Sequence, residues 1–304
     1  MPRGSPGPRW FARVAVLSAF AATLYLAGPR ASRALAARLS GAARRSALVD
    51  LDRVAFLETP GWMPKRALLA LAKDLHPVLS GRVPILDEEA GEQLLRSLRS
   101  VPWVRDVGLD RRFPDRLEAR LSIRRPRLCI ADRAGEPIRL CDGEGIALRF
   151  VDGFSLPIVR VDRSLVDRCE EGLPIASAVV QAALGVVLEW QDALAPRVRG
   201  CPRLLEVDAE RVEADLPEDP RHPEISVVLE RSGGGEVVFG YGRPPSSKAP
   251  RVPVEDKART LSAILERHEG LKGIERGDLR FGVRWQDWLE PRLGPDPAGP
   301  WTTR

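Results

Sequence analysis

Residues 104–125, VRDVGLDRRFPDRLEARLSIRR, alternate apolar and polar side chains in two segments. Val107 and Leu109 are flanked by charged or small residues, and the alternation resumes at Leu117 and runs to Ile123. A period of two residues is typical of β-strands with one buried face, and a short Pro-containing turn joins the two segments. The sequence therefore predicts an antiparallel hairpin with one face in water.

A strand and two helices are predicted before this hairpin. Residues 47–57 read as a strand, and Pro64 suits the first turn of a helix, where its missing N–H costs nothing. Asp87 is a predicted N-cap of a second helix with leucines on one side. The order strand–helix–helix–strand–strand is that of a POTRA domain, which we predict at residues 47–125.

The chain after Pro126 predicts an α+β domain, residues 126–290, with a mixed, mainly antiparallel sheet and flanking helices. A long apolar helix begins at Pro174, and its apolar run of about 14 residues suits a buried core helix better than a membrane span. Gly277–Trp285 reads as the last strand, and residues 291–304 as a flexible tail. The other strands are predicted at residues 128–130, 138–141, 146–148, 204–207, 211–214, 225–230 and 236–239.

Positive charge is concentrated at the N-terminus. No acidic residue precedes Asp50, and the first 46 residues contain eight arginines. The net charge of +5 therefore leaves 5 − 8 = −3 for the rest of the chain. A slightly acidic remainder lacks the basic surface by which proteins neutralise phosphates, so we predict no nucleic-acid partner.

An uncharged segment, Val14–Gly28, predicts a membrane anchor. Its helix would be about 22 Å long, against a hydrocarbon core of roughly 30 Å. Extension back to Trp10 gives about 28 Å, with Arg13 reaching the headgroups and Trp10 and Tyr25 at the two interfaces. We predict an N-terminal tail at residues 1–12, a transmembrane helix at 13–29 that contacts membrane lipid, and a basic juxtamembrane linker at 30–46.

Other interpretations of this segment stay open. A basic start, a short apolar run and the small residues Ala27 and Gly28 also fit a cleaved signal peptide. An Arg- and Ala-rich segment without acids also fits an organellar transit peptide. Three arginines precede the apolar run and five follow it, so charge does not favour a cytoplasmic N-terminus. Residues 30–46 could lie on headgroups or form a solvated stalk.

The residues that usually carry chemistry form no recognisable site. Four cysteines, Cys129, Cys141, Cys169 and Cys201, contain no C-x-x-C pair, which argues against zinc. They are either small buried side chains or include a Cys129–Cys141 disulfide. The three histidines are far apart, and no G-x-S-x-G, P-loop or H-E-x-x-H motif occurs. We predict no enzymatic activity, no cofactor or metal and no small-molecule substrate.

Several local patterns follow one another in the order found in one bacterial family. They are Val101-Pro102-Trp103-Val104, Arg111–Leu117 with its Phe-Pro-Asp centre, Arg124-Arg125-Pro126, Leu140-Cys141-Asp142 with Gly145, and Lys257–Leu265 followed by Asp278-Leu279-Arg280-Phe281. Together with the predicted anchor and POTRA domain, this order resembles the cell-division family FtsQ/DivIB over roughly residues 10–290. The chain departs from the family pattern at Ile123 and after Phe281.

The resemblance implies a function in cell division. A bitopic inner-membrane scaffold, with a cytoplasmic N-terminus and a periplasmic body at the division septum, would link early and late proteins. Its last strand would offer an open edge to an FtsB/FtsL-like complex, and its POTRA domain would contact other divisome proteins. The residues that the resemblance assigns to the FtsB-like partner are Leu279, Arg280, Phe281, Val283, Trp285 and Trp288.

Two other function classes were weighed. POTRA domains also occur in outer-membrane assembly and secretion components, which need several POTRA repeats or a C-terminal barrel of many alternating strands. Residues after Pro126 predict two helices and no such series. A secreted hydrolase of another type is the third class.

Overall fold

The computed structural model describes residues 60–84, 87–112, 116–166, 169–213 and 222–291, together with 48–50 and residue 38. These residues form an α+β fold in two compact units. One unit contains Leu75–Leu98, Val107–Leu121 and the described residues before Pro60; the other contains Pro60–Asp74, Arg99–Asp106 and the chain from Ser122 onward. The predicted anchor residues Trp10, Arg13 and Tyr25 lie outside the described residues.

The first part of the chain contains the predicted hairpin and two helices. Strand β1 is Leu48–Asp50, helix α1 is Lys65–Leu79, β2 is Arg82–Pro84, and α2 is Glu88–Arg99. The carboxylate of Asp87 accepts hydrogen bonds from the amides of Glu89 and Ala90, which confirms the predicted cap. Strands β3, Val104–Arg112, and β4, Arg116–Ile123, form the hairpin.

Strand β2 was missed by the sequence analysis. It pairs antiparallel with β1, with Val49 opposite Val83, so β1 forms a separate two-stranded sheet in the described part of the chain. Three residues are too few to show a period of two, which is why the pattern gave no signal.

A nine-stranded sheet dominates the rest of the chain, in the order β13-β12-β11-β10-β9-β8-β5-β6-β7. The pairs β5–β8, β8–β9 and β11–β12 are parallel, and the other five are antiparallel. The strands are β5 Pro126–Ala131, β6 Pro137–Asp142, β7 Ala147–Arg149, β8 Ile158–Arg160, β9 Leu204–Asp208, β10 Ser226–Glu230, β11 Glu236–Gly240, β12 Ile274–Asp278 and β13 Glu290–Pro291. The short helix α3 is Arg163–Val166.

Helices α4, Ala178–Glu189, and α5, Val254–Arg267, pack on this sheet. Helix α4 continues through a π-helical turn, Trp190–Leu194, and a 3₁₀ turn to Arg197. Among the described residues, Ala178–Arg197 is the one helical stretch that is long and apolar enough to cross a membrane, and half of its apolar window is buried in the fold. Because its apolar residues join the sheet core, the prediction of a core helix is confirmed.

Two predicted strands are wrong. The segment predicted as a strand at 211–214 instead contains a 3₁₀ helix, Glu210–Glu213, because the Asp208 carboxylate accepts the amide of Glu210 and turns the chain. The predicted last strand ends at Asp278, not at Trp285. The Asp278 carboxylate accepts the amide of Arg280, and Gly282 has a φ of 50°, which bends the chain away from the sheet.

Of the two alternatives for the cysteines, the Cys129–Cys141 disulfide is wrong, since all four cysteines are free thiols and Cys129 and Cys141 are small buried side chains. On the neighbouring strands β5 and β6, Cys129 lies opposite Leu140, and Cys141 lies opposite Leu128. Register partners share a face and successive residues alternate, so the two thiols lie on opposite faces of the sheet. Cys141 belongs to the core beneath α4. Burial raises the pKa of Cys141 to about 12 and that of Cys129 to about 11.

Thiol titration should therefore give four reactive cysteines per unfolded, unreduced chain. In the native chain, Cys129 and Cys141 should react with Ellman's reagent far more slowly than after unfolding, because the thiolate is the reactive species. Dithiothreitol-treated protein is the control. A count of two in the untreated, unfolded chain would mean that the register across β5 and β6 is not the one described.

Candidate partner-binding edge

The end of β12 is held close to β11 by two glycines. The strands run parallel, with Phe239 opposite Gly277 and Gly240 opposite Asp278. A β-carbon on Gly277 would collide with the Phe239 ring, and one on Gly240 with the Asp278 carboxylate. The amide of Leu279 still donates to the carbonyl of Gly240, at 2.9 Å. These contacts fix where the chain leaves the sheet.

A buried ion pair shapes the turn that follows. The Arg280 guanidinium binds both carboxylate oxygens of Asp278, with Nη2 2.7 Å from Oδ2 and Nε 3.0 Å from Oδ1. The two side chains are 7% and 9% exposed. Charge-assisted, forked pairs of this kind are geometrically specific, so the backbone of residues 278–281 is fixed by its own side chains.

Phe281 and Trp288 form an aromatic stack next to this turn. Their ring centroids are 4.2 Å apart with planes 13° apart, and the Arg280 guanidinium lies 4.9 Å from the Phe281 centroid. Both rings are half-buried, so part of each is open to a neighbour. Residues Gly282–Trp288 form the 3₁₀ helix that brings Trp288 back over Phe281.

The structure separates the six predicted partner residues into three groups. Leu279 is fully buried and Trp285 is 8% exposed, and both belong to the sheet core. Arg280, Phe281 and Trp288 lie together at the turn, with the two stacked rings half-buried and the Arg280 side chain buried beside them. The side chain of Val283 lies outside the described part of the chain. The prediction of one continuous edge strand through these residues is therefore wrong, although three of them do lie together.

The outer side of β12 is covered by a very short strand. Glu290 and Pro291 of β13 pair with Arg276 and Ile274, with a register irregularity between the two pairs, and both β13 residues are exposed. Proline has no N–H to donate to a ladder. In the part of the chain that the structure describes, the β12 edge is thus covered by Glu290 and Pro291, where the prediction had an open strand.

An open cleft of about 970 Å³ lies beside the stack. Four arginines line it: Arg243, Arg251, Arg259 and Arg280. Of these, only Arg280 was predicted from the sequence as a partner-binding residue. Each binds a carboxylate, so the four guanidinium charges are largely balanced. The pairs are Arg243–Glu224, Arg251–Glu189, Arg259–Asp256 and Arg280–Asp278.

A buried charge cluster stabilises the wall of this cleft. The Glu189 carboxylate accepts from the Tyr241 hydroxyl at 2.6 Å and from Lys257 Nζ at 3.3 Å, and pairs with Arg251 at 2.5 Å. Lys257 is 1% exposed, and its Nζ lies 3.4 Å from the Tyr241 ring centroid. The cluster joins the end of α4, the end of β11 and the first turns of α5.

Electrostatics keep Glu189 ionised in this cluster. Burial would raise the pKa of the Glu189 carboxyl, but the Tyr241 hydrogen bond and the charges of Lys257 and Arg251 lower it below its ordinary value. Burial, together with the adjacent carboxylate, raises the pKa of Tyr241. Neither group is thereby poised to exchange protons near neutral pH, which points to a structural role.

The chemistry available at this edge suits binding another polypeptide. The cleft lining combines prolines with guanidinium groups and aromatic rings, and the last two are enriched at protein interfaces. No group of three or more His, Cys, Asp or Glu that could hold a metal occurs among the residues described. Comparison with known families finds no matching family model, and no curated protein matches the chain. The resemblance to FtsQ/DivIB therefore stays a prediction.

Proposed function

We propose that this chain is a bitopic cell-division scaffold of the FtsQ/DivIB type that binds an FtsB/FtsL-like complex. The observation that carries the proposal is the outer edge of β12, which within the described residues is covered by Glu290 and Pro291 alone and is flanked by the Phe281–Trp288 stack. An extended partner segment can add a long ladder at such an edge.

The partner strand replaces β13 along β12. Glu290 and Pro291, the described residues of β13, supply few ladder hydrogen bonds because proline has no N–H, so a longer partner segment would offer more main-chain donors and acceptors along β12. Its side chains alternate, and those nearest the turn pack on Phe281 and Trp288. Arg280 remains fixed by Asp278 and supports the stack from one side. A two-residue cover also limits uncontrolled edge pairing in the absence of the partner.

The membrane and POTRA parts of the proposal rest on the sequence. The anchor at residues 13–29, the cytoplasmic N-terminus and the inner-membrane location follow from the apolar segment and the family resemblance. A POTRA domain at residues 47–125, contacting other divisome proteins, is supported by the β3–β4 hairpin and the two preceding helices.

Charge at the stack should abolish partner binding. Phe281→Asp places a carboxylate against Trp288 and should weaken binding by about 30-fold or more, as expected for a central aromatic contact. Binding is measured by biolayer interferometry, with the full chain in detergent and the FtsB/FtsL-like pair of the same organism. Leu173→Asp is the matched control, because Leu173 is an exposed leucine elsewhere in the sheet domain, 51% accessible.

Removal of β13 tests the edge itself. A chain ending at Leu289 should bind the pair more tightly, by several-fold, because the partner no longer displaces an intramolecular strand. Equal binding by Phe281→Asp and the parent chain, or loss of binding on truncation, would contradict strand replacement at β12. Unchanged thermal unfolding of both variants shows that the effects are local.

A further inference from the structure

Helix α1 exposes a row of cations around a leucine. Lys65, Arg66, Ala72 and Lys73 are exposed, and Leu69, at 72% accessible, is the most exposed large apolar side chain in the described part of the chain. Positions three and four apart share one face of a helix, and Leu69 lies four residues from each lysine. We call Lys65, Arg66, Leu69 and Lys73 the α1 stripe. The opposite side of the helix, at Ala67 and Leu71, is buried.

Among the described residues, the carboxylates that form ion pairs on or beside α1 are Asp152 and Asp74. Asp152 binds Arg66 at 3.5 Å, and Asp74 binds Arg149 at 2.7 Å. The four cations Lys65, Arg66, Lys73 and Arg149 and the two carboxylates Asp74 and Asp152 have a net charge of 4 − 2 = +2. No acidic residue stands three or four positions from Lys65 or Lys73 on the helix, so neither lysine has an intrahelical ion pair.

From this geometry we propose that the α1 stripe docks on the anionic headgroups of the membrane that anchors the chain. Two lysines supply charge complementarity to phosphate groups, and Leu69 enters the interfacial region between them. The inference rests on the proposed anchor: Lys65 follows Gly28 by only 37 residues, so the tether holds the stripe at high local concentration near the bilayer.

The stripe is suited to a surface rather than to a pocket. Lys65 and Arg66 lie about two turns before Lys73, so its three cations are spread over about 12 Å of helix. A planar array of anions satisfies all three at once, whereas a single small anion would reach only one. Leu69 is removed from water, which is favourable for an apolar side chain, only when the stripe lies against a planar array of anions.

Hydrogen exchange in nanodiscs tests this inference. The full chain is incorporated in discs of phosphatidylcholine alone and in discs with a third phosphatidylglycerol, and exchange is followed by mass spectrometry. Amides of residues 65–74 should exchange about tenfold more slowly with phosphatidylglycerol, and the difference should shrink in high salt. Lys65→Glu/Lys73→Glu should remove the difference. Lys248→Glu/Lys272→Glu, an equal change at exposed lysines elsewhere, should keep it.

The outcomes separate this inference from the proposed function. A chain that enters neither disc and is released from cell membranes by carbonate has no anchor, which overturns both. A chain that is incorporated but exchanges equally in the two discs overturns only the α1 stripe. If exchange of residues 65–74 slows without phosphatidylglycerol once the FtsB/FtsL-like pair is added, the stripe binds an acidic protein and not the membrane. If exchange in phosphatidylglycerol discs is still slowed in the Lys65→Glu/Lys73→Glu variant, the two lysines do not bind the headgroups.

Discussion

Replacing Glu189 by glutamine is expected to lower the free energy of unfolding by about 3 kcal/mol. The variant keeps the shape of the side chain but removes the carboxylate that faces Lys257, Tyr241 and Arg251. Lys257 is 1% exposed and cannot regain water without disrupting α5. A buried ammonium without its counter-charge is among the most costly defects in a protein interior.

A second substitution distinguishes charge from packing. Adding Lys257→Met to the Glu189→Gln variant should restore at least half of the lost stability, because an apolar side chain of similar length removes the stranded charge. Glu255→Gln is the matched control: this glutamate is 59% exposed and pairs with Arg197 at 3.8 Å, so its loss should cost less than about 0.5 kcal/mol. Urea denaturation of the full chain in detergent, followed by tryptophan fluorescence, measures all four proteins.

The same carboxylate should give a defined acid response. Its pKa is lowered in the folded chain, so its stabilisation is complete above the ordinary value of 4.5 and is lost as pH falls through the folded value. The difference in unfolding free energy between the parent chain and Glu189→Gln should therefore be constant at neutral pH and shrink below about pH 4.5. A difference that is absent at neutral pH, or that does not change on acidification, would contradict the buried cluster.

Sequence periodicity was informative where one residue pattern extends over a whole element. The alternation from Leu117 to Ile123 predicted a strand because its apolar side chains share one face, on which Leu117 and Ala119 are buried. The apolar stretch of α4 predicted a core helix for the same reason, and Asp87 marked a helix start because its capping bonds are local. Each of these signals depends only on neighbours in sequence.

Features that depend on pairing between distant segments could not be predicted. Cys129 and Cys141 lie on neighbouring strands as expected, but the register across β5 and β6 puts them on opposite faces. A shift of one residue would have reversed that outcome, and no local pattern sets it. Likewise, the β12 edge is covered by Glu290 and Pro291, a pair too short to be recognised as a strand.

The buried cluster shows the same limitation for the site. Glu189, Tyr241 and Lys257 are up to 68 positions apart, and each alone reads as an ordinary residue. The π-helical turn after Glu189 leaves no pattern in the sequence either, although such turns often occur at functional positions. Phe281 was identified from the motif around Asp278, but its contact with Trp288 depends on a 3₁₀ helix where a strand was predicted.

Asp142→Ala should be the second strongly destabilising substitution, with a loss of about 3 kcal/mol. Asp142 is 3% exposed at the end of β6. Its Oδ1 accepts the amides of Glu144 and Ile146, at 2.9 and 2.8 Å, which forms the turn into β7. Its Oδ2 accepts Arg124 Nη1 at 2.7 Å, and that guanidinium also binds Glu144.

Asp142→Asn separates the two functions of the carboxylate. Asparagine keeps one carbonyl oxygen for the turn amides but turns an NH₂ group towards Arg124, so about half of the loss should remain. Asp192→Ala is the control, since Asp192 is 61% exposed and 3.8 Å from Arg127, and should change stability by less than about 0.5 kcal/mol. Urea denaturation supplies the comparison. Equal stability of Asp142→Ala and the parent chain would show that Glu144 alone holds Arg124. Because the amide of Arg124 also donates to the carbonyl of Trp103, at 2.8 Å, displacement of Arg124 should disturb the chain entering β5 as well as the β6–β7 turn.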